Sequence, residues 1–164
     1  YMIIWNPIGT GWVCNYMGTD KPNATICGTD GICWSGICRE NLVANGEFDD
    51  STGWTIVGAW TIASGKASIP NAYTPGGFPG AYLSQDILIQ PAKRYKVKFS
   101  TTFLSGNVGS IRAVIGGTAG TALSSGTEYN KDITAGYTDT KIQIQAQGTP
   151  IKIEIDNVKS YDIT

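Results

Sequence analysis

The chain contains no histidine. This absence excludes Ser-His-Asp and Cys-His catalytic arrangements, imidazole metal ligands and the usual acid–base group near neutral pH. Charged residues make up only 15% of the 164 residues, and no glycine-rich phosphate motif followed by Lys-Ser or Lys-Thr occurs. Among the 13 acidic residues, Asp49 and Asp50 are adjacent and nothing marks a cleft. We therefore expect a protein that is not an enzyme.

Strong charge and long apolar runs are also missing. The formal net charge is −1, which provides no electrostatic footprint for nucleic acid. No apolar run approaches the roughly 20 residues that a membrane span needs, so we expect a soluble domain. The chain begins at Tyr1, and either a removed leader or a longer polypeptide would explain the missing initiator methionine.

The clearest positive pattern lies at the end of the chain. Ile151, Ile153 and Ile155 alternate with polar residues, which is the period of a strand buried on one face. The alternation then changes parity, because Val158 falls on the side that had been polar. One extra residue in a strand re-aims every later side chain. The pattern predicts a bulge near Asp156-Asn157 in a strand that needs paired neighbours.

Residues 41–164 contain eight to ten such short strands separated by turn residues. The alternation is cleanest at 95–99 and 141–147, where Lys141, Gln143 and Gln145 take the solvent side of the second strand. Twenty-one glycines and a low charge content also suit a loop-rich β protein. The fold class is therefore all-β, an antiparallel β-sandwich, in which we expect Trp54 and Trp60 to be core residues.

Residues 1–40 form a second region with different chemistry, since they show no sustained hydrophobic period. This region holds all the cysteines of the chain, which are Cys14, Cys27, Cys33 and Cys38. So short a segment cannot form a core alone and needs cross-links. We favour two disulfides; four thiolates holding Zn²⁺ or an iron–sulfur cluster are the alternative, although the Cys-x-x-Cys pairs typical of zinc ribbons are missing.

The same region is rich in large apolar side chains, and it is predicted to be a docking segment. A looped segment cannot bury all of them internally, and exposed apolar patches usually mark interfaces. The predicted assembly interface comprises Ile3, Trp5, Trp12 and Trp34. In the alternative interpretation the tryptophans pack this segment onto the chain's own sandwich.

Three stretches together resemble carbohydrate-binding modules of the family 4/9 type, over about residues 41–163. These stretches are NLVANGEFD at 41–49 followed by Gly53-Trp54, LSQDI at 83–87 leading through Pro91 to YKVKF at 95–99, and IDNV at 155–158. The resemblance implies a jelly roll whose first and last strands are neighbours. It also implies a structural Ca²⁺ near Glu47, Asp49 and Asp156, because hard oxygen ligands suit this ion. Alternatively, Glu47 and Asp49 are solvated turn residues.

Sugar binding in this family relies on exposed aromatic rings that stack on pyranose rings. The resemblance makes Tyr73 and Phe78 the carbohydrate-binding candidates, because they lie on a Pro/Gly-rich loop at 70–82. The same two rings could equally pack against a neighbouring subunit.

Modules of this kind also occur on tailed-phage virion proteins, adhesins and extracellular filaments. We therefore expect a non-enzymatic structural and adhesive surface protein, such as a phage capsid-decoration or tail-associated protein, at the virion surface or outside the cell. Its partners would be other structural proteins or copies of itself, with surface glycans as further ligands. The alternatives are a secreted carbohydrate-binding module accessory to a polysaccharide-degrading enzyme and a subunit of an extracellular filament.

Overall fold

The structure of the chain is a computed structural model that describes residues 15–16, 19–20, 26–27, 30–35, 37–73, 80–148 and 150–164. Within these ranges the chain forms fifteen β-strands, and they contain no helix long and apolar enough to cross a membrane. In chain order the strands are β1 (Asn15–Tyr16), β2 (Thr19–Asp20), β3 (Ile26–Cys27), β4 (Gly31–Trp34), β5 (Ile37–Arg39), β6 (Thr55–Val57), β7 (Thr61–Ala63), β8 (Lys66–Tyr73), β9 (Ala81–Asp86), β10 (Arg94–Phe103), β11 (Ser110–Ile115), β12 (Thr118–Ala119), β13 (Glu128–Thr134), β14 (Lys141–Gln147) and β15 (Ile151–Asp162). The predicted all-β class is confirmed.

Ten of these strands form the two layers of a sandwich. The β10 sheet has the strand order β13-β10-β15-β8-β7, and the β14 sheet has the order β12-β11-β14-β9-β6. Every pairing in both sheets is antiparallel. Strands β3, β4 and β5 form a separate three-stranded sheet, and β1 pairs with β2. The antiparallel sandwich predicted from the alternating segments is therefore confirmed.

A single hydrophobic core lies between the two layers and draws residues from both of them. Phe99 of β10 and Tyr129 of β13 stack with their ring centroids 4.6 Å apart and their planes 2° from parallel. Trp54 and Trp60 are only 7% and 4% exposed, which confirms their prediction as core residues. Each fully buried large aliphatic side chain of such a core contributes about 1.5–3 kcal/mol.

Strand β15 carries the predicted bulge. Its register against β10 shifts by one residue between Lys98 and Ser100, which pair with Lys159 and Asp156. Asn157 has a positive φ of 55°. Asn is among the few non-glycine residues that adopt this conformation readily. The bulge turns Val158 into the core, where it is completely buried, and the change of parity read from the sequence is thereby explained.

The segment that enters the sandwich is held by this last strand, as the resemblance implied. Leu42 N donates to Ser160 O at 2.8 Å, and Val158 N donates to Gly46 O at 3.0 Å. The side chain of Asn41 adds a third bond, since its Oδ1 accepts from Ser160 N at 3.0 Å. A Cβ atom added at Gly46 would collide with the carbonyl group of Val158, so glycine is required for this close approach.

A second, smaller apolar cluster lies on the outer side of the β10 sheet. Ile32 of β4 is buried there together with Tyr161 and Ile163, and the half-buried ring of Trp34 packs against them. The Lys96 ammonium group lies 4.9 Å from the centroid of the Trp34 ring, a cation–π geometry worth about 0.5–1 kcal/mol at such partly exposed sites. The β4–β5 hairpin is therefore packed onto the chain's own sandwich.

Polar contacts surround this cluster. Asp30 pairs with Lys159 and accepts a hydrogen bond of 2.7 Å from Asn41 Nδ2. Burial, together with the negative charges of Asp30 and Glu47, raises the pKa of Tyr161 to about 12. The Tyr161 hydroxyl consequently stays protonated at all physiological pH values.

These contacts bear on the predicted docking segment. Trp34 was assigned to an assembly interface, but its ring packs on an intramolecular cluster, as the alternative interpretation of the tryptophans has it. The other three members of that interface, Ile3, Trp5 and Trp12, lie outside the described residues. The boundary between residues 40 and 41 and the docking role both stay predictions.

We expect Gly46→Ala to lower the free energy of unfolding by about 3 kcal/mol. The added methyl group meets backbone, which cannot move aside as a side chain does, and overpacking of this kind costs about 1–3 kcal/mol or more. The control is Gly106→Ala, where a Cβ meets only the flexible Lys152 ammonium group at 4.0 Å. That control should lose about 1 kcal/mol because Gly106 has a positive φ. If urea denaturation shows the same loss of unfolding free energy for both variants, the Gly46–Val158 approach is not tight.

We expect Trp34→Ala to lower the free energy of unfolding by about 2 kcal/mol, which is less than the 3–5 kcal/mol typical of fully buried aromatic residues, because the ring is half-buried. Ile37→Ala is the control, since Ile37 lies on the same hairpin but is 41% exposed, and its loss should stay within about 0.5 kcal/mol. Urea denaturation of both variants measures the difference. If Trp34→Ala is as stable as the control, the hairpin does not stabilise the sandwich.

Candidate functional site

The carbohydrate-binding residues predicted from the sequence cannot be evaluated at the level of side chains. Tyr73 is the last residue of β8 and pairs with Ile151 of β15, but its side chain is not described. Phe78 lies entirely outside the described residues. The loop site therefore stays a prediction, and a different surface of the sandwich provides the best-defined candidate.

This candidate is the outer surface of the β14 sheet. Successive side chains of a strand point to opposite faces, and Ile142, Ile144 and Ala146 of β14 point into the core. The intervening glutamines therefore point outward, as do the residues that pair with them. We call this surface the polar face, and its members are Thr55, Val57, Tyr82, Ser84, Ser110, Arg112, Val114, Gln143, Gln145 and Gln147.

The strand register arranges the polar face in two cross-strand rows. The first row runs from Val57 through Tyr82 and Gln145 to Arg112. The second row runs from Thr55 through Ser84 and Gln143 to Val114. Because directly opposed side chains have their Cβ atoms about 4.5–5.5 Å apart, each row forms one continuous strip across four strands.

Hydrogen bonds connect the two rows through their side chains. Arg112 donates from Nε and from one terminal nitrogen to Gln145 Oε1, at 3.0 and 2.9 Å. Gln145 Nε2 then donates to Gln143 Oε1 at 2.9 Å. Elsewhere on the face, Gln147 Nε2 donates to Ser110 Oγ at 3.1 Å. These bonds hold the long polar side chains in defined orientations before any ligand binds.

The middle of the polar face is closely packed. Ser84 and Gln145 are only 4% and 6% exposed, and Val114 is only 5% exposed although it belongs to neither apolar cluster. Tyr82, Arg112, Gln143 and Gln147 around them are half-buried. Ligand sites commonly combine an aromatic ring with a few oriented polar groups.

Charged side chains lie next to one end of the polar face. Lys141 and Asp86 are directly opposed at the ends of β14 and β9. The Asp86 carboxylate accepts a hydrogen bond of 3.1 Å from Leu88 N. Arg112 is the charged residue of the first row and lies at its β11 end.

The predicted calcium ligands Glu47 and Asp49 lie on the segment that enters the sandwich, and Asp156 lies on β15. No group of three or more His, Cys, Asp or Glu residues able to hold a metal ion is present in the described part of the chain. The Asp156 carboxylate instead accepts bonds from the backbone and side-chain nitrogens of Asn157, at 2.6 and 3.1 Å. Calcium binding near these carboxylates stays a prediction.

The described cysteines face each other on the hairpin. Cys33 of β4 and Cys38 of β5 are directly opposed, and each is disulfide-bonded. Cys14 lies outside the described residues and the side chain of Cys27 is not described, so the pairing of the four cysteines stays a prediction. The cross-links belong to the hairpin on the β10 sheet, away from the polar face.

Sequence analysis missed the polar face as a site. It assigned Lys141, Gln143 and Gln145 to the solvent side of an amphipathic strand, which is correct for orientation but assigns them no role. A usable signal was present, since Gln143, Gln145 and Gln147 repeat an amide at every second position of one strand. The partner Arg112 could not be found in this way, because its position depends on the register between β11 and β14.

Comparisons with known proteins establish the fold. No protein-family model matches the sequence, and no curated protein matches it. Among solved structures, a family 4 carbohydrate-binding module (CBM4) has a TM-score of 0.53 and 19% identity over 73% of this chain and 99% of its own. The CBM22-1 xylan-binding domain of Paenibacillus barcinonensis Xyn10C has a TM-score of 0.52 and 8% identity over 77% of this chain and 96% of its own.

A third similarity involves the tailspike protein 4 of bacteriophage CBA120, with 18% identity over 73% of this chain and 21% of the tailspike chain. Its TM-score of 0.44 is too low to support an argument about the phage hypothesis. The first two structures match along nearly their whole length. The resemblance seen in the sequence is thereby confirmed at the level of the fold, and the described sandwich is a jelly roll of the carbohydrate-binding-module type.

Proposed function

We propose that this chain is a non-catalytic carbohydrate-binding module and that the polar face binds the glycan. The observation that carries the proposal is the hydrogen-bonded set of Arg112, Gln145 and Gln143, which lies beside Tyr82 on the polar face. Amide and guanidinium groups are well suited to the closely spaced hydroxyl and ring oxygens of a sugar. An aromatic ring adds an apolar surface for the C–H groups of the pyranose.

The two outer surfaces of the sandwich differ in a way that supports this choice. On the β10 sheet, Lys96 and Arg94 both pair with Asp132, and Lys98 pairs with Glu128. Because these charged groups are paired with one another, they offer few hydrogen-bonding positions to an uncharged ligand. The polar face instead presents amides, hydroxyl groups and an aromatic ring, and the fold is that of structures described as carbohydrate-binding modules.

The setting in which the module acts is a narrower proposal. We propose adhesion at the surface of an assembled particle, such as a phage, as the first setting, because the modules that the stretches 41–49, 83–87 and 155–158 resemble also occur on tailed-phage virion proteins. An accessory module of a polysaccharide-degrading enzyme and a subunit of an extracellular filament are the alternatives. Negative-stain microscopy of native material separates them, since particles or filaments should then contain this chain.

Removal of Tyr82 should weaken glycan binding without unfolding the protein. Tyr82→Ala should reduce affinity about tenfold, because a stacking ring contributes on the order of 1 kcal/mol beyond its buried area. The measurement is retardation in affinity gels containing xylan, β-glucan, galactan or polygalacturonate. Asn130→Ala is the control, since Asn130 is an exposed residue of β13 on the other sheet, and its mobility should equal that of the wild type.

The same gels decide between the two candidate sites. Phe78→Ala should migrate as the wild type does if the polar face is the binding site. If Phe78→Ala loses retardation while Tyr82→Ala keeps it, the loop that carries Tyr73 and Phe78 is the site and the assignment to the polar face is wrong. If none of the four polysaccharides retards the wild type, the carbohydrate-binding proposal fails.

A further inference from the structure

The hydrogen bonds of the polar face have a fixed direction, which begins at Arg112. A guanidinium group carries only donors and cannot accept a hydrogen bond. Two of its nitrogens point at the same side-chain oxygen of Gln145, at 3.0 and 2.9 Å. The Gln145 amide can therefore have only one orientation, with its oxygen toward β11 and its NH₂ group away from it.

This orientation determines the orientation of the next glutamine. The Gln145 NH₂ group needs an acceptor and finds the oxygen of Gln143 at 2.9 Å. The Gln143 amide is consequently turned with its NH₂ group away from Gln145. Within the described part of the chain, this side chain makes no other hydrogen bond. Gln143 thus presents two N–H donors beside Ser84 and Val114 in the second row of the face.

The burial of Gln145 separates its role from that of Gln143. Gln145 is 6% exposed and both of its polar atoms are bonded within the protein, as is normal for a buried amide. Gln143 is half-buried and has donors to spare. Gln145 therefore has little capacity to contact a ligand, whereas Gln143 can donate to one.

We propose that Gln145 is a positioning residue that transmits the donor-only character of Arg112 to Gln143, so that the polar face selects a glycan oxygen that accepts hydrogen bonds. This inference rests on the proposed function. The selected oxygen belongs either to the carboxylate of an acidic sugar or to a ring or glycosidic oxygen of a neutral one, since these oxygens accept hydrogen bonds but cannot donate them. Both offer the same acceptor chemistry to the Gln143 NH₂ group.

We call the hydrogen bonds that run from Arg112 through Gln145 to Gln143 the relay. The test reverses its second hydrogen bond with a single substitution. Glutamate at position 145 still accepts from Arg112 but has no NH₂ group, so it cannot donate to the Gln143 oxygen. In Gln145→Glu the Gln143 amide should turn and donate to the new carboxylate, which leaves an acceptor facing the ligand. We expect affinity for the retained polysaccharide to fall at least tenfold, because a donor is replaced by a lone pair that repels the glycan oxygen.

The matched control is Gln90→Glu, which makes the same change at an exposed position that is not part of the polar face. Gln90 also lies outside the relay, so its variant should bind within about twofold of the wild type, which is well below the tenfold change equivalent to 1.4 kcal/mol. A second measurement needs no ligand. The side-chain NH₂ signals of Gln143 in a ¹⁵N NMR spectrum should shift in Gln145→Glu and stay unchanged in Gln90→Glu.

Two polysaccharides distinguish the sources of the acceptor oxygen. Retention by polygalacturonate that weakens as salt rises from low to high concentration indicates a carboxylate, whereas salt-independent retention by galactan indicates a neutral sugar oxygen. If the wild type is retained but Gln145→Glu binds as tightly as Gln90→Glu, or if the Gln143 signals do not move, the relay is overturned while the proposed function survives. If no polysaccharide retains the wild type, the proposed function fails and this inference fails with it.

Discussion

The central position of β15 in the β10 sheet is the constraint on which the rest of the structure depends. This strand lies between β10 and β8, so the last residues of the chain complete the middle of a sheet rather than its edge. Its bulge at Asn157 turns Val158 into the core and allows Tyr161 to join the apolar cluster on the outer surface. The backbone of the same strand holds the entering segment at Leu42 and Gly46. Loss of the β15 pairing would release all three contacts at once.

The sandwich uses its two outer surfaces in different ways. The β10 sheet is partly covered by the disulfide-bonded β4–β5 hairpin and carries several ion pairs, such as the one between Lys66 and Glu154 at 2.9 Å. Exposed pairs of this kind contribute little to stability, about 0–1 kcal/mol each. The β14 sheet carries oriented amides instead. One surface therefore anchors the N-terminal hairpin, and the other provides a preorganised set of hydrogen-bonding groups.

The parts of this structure that sequence analysis predicted are those encoded within single strands. Alternation at 141–147 identified a half-buried strand, and the change of parity before Val158 identified the bulge, because both depend on neighbouring residues alone. The relay from Arg112 to Gln143 was not predicted, since it requires the register between β11 and β14. The packing of Trp34 against Tyr161 likewise joins residues from opposite ends of the chain, and for the tryptophans the sequence left two interpretations open.

In the candidate site, too, features encoded within one strand were predictable, whereas features that depend on the pairing of strands were not. Loops rich in Pro and Gly attract attention in a sequence because binding residues often lie on them, and this led to Tyr73 and Phe78. A binding surface built on a sheet is spread over several strands, and each strand contributes residues that look like ordinary solvent-facing positions. Only the assembled rows reveal that Tyr82, Gln145 and Arg112 lie side by side.

The central claim is that the polar face of the β14 sheet is the glycan-binding surface. The most direct test is an NMR titration of the ¹⁵N-labelled protein with soluble xylan, β-glucan, galactan and polygalacturonate fragments, observed at backbone and side-chain amides. The account predicts that one of these glycans shifts the signals of Gln143, Tyr82 and Arg112 while those of Asn130 and Lys131 on β13 stay unchanged. Shifts confined to residues 74–79, or equal shifts on both sheets, would contradict it.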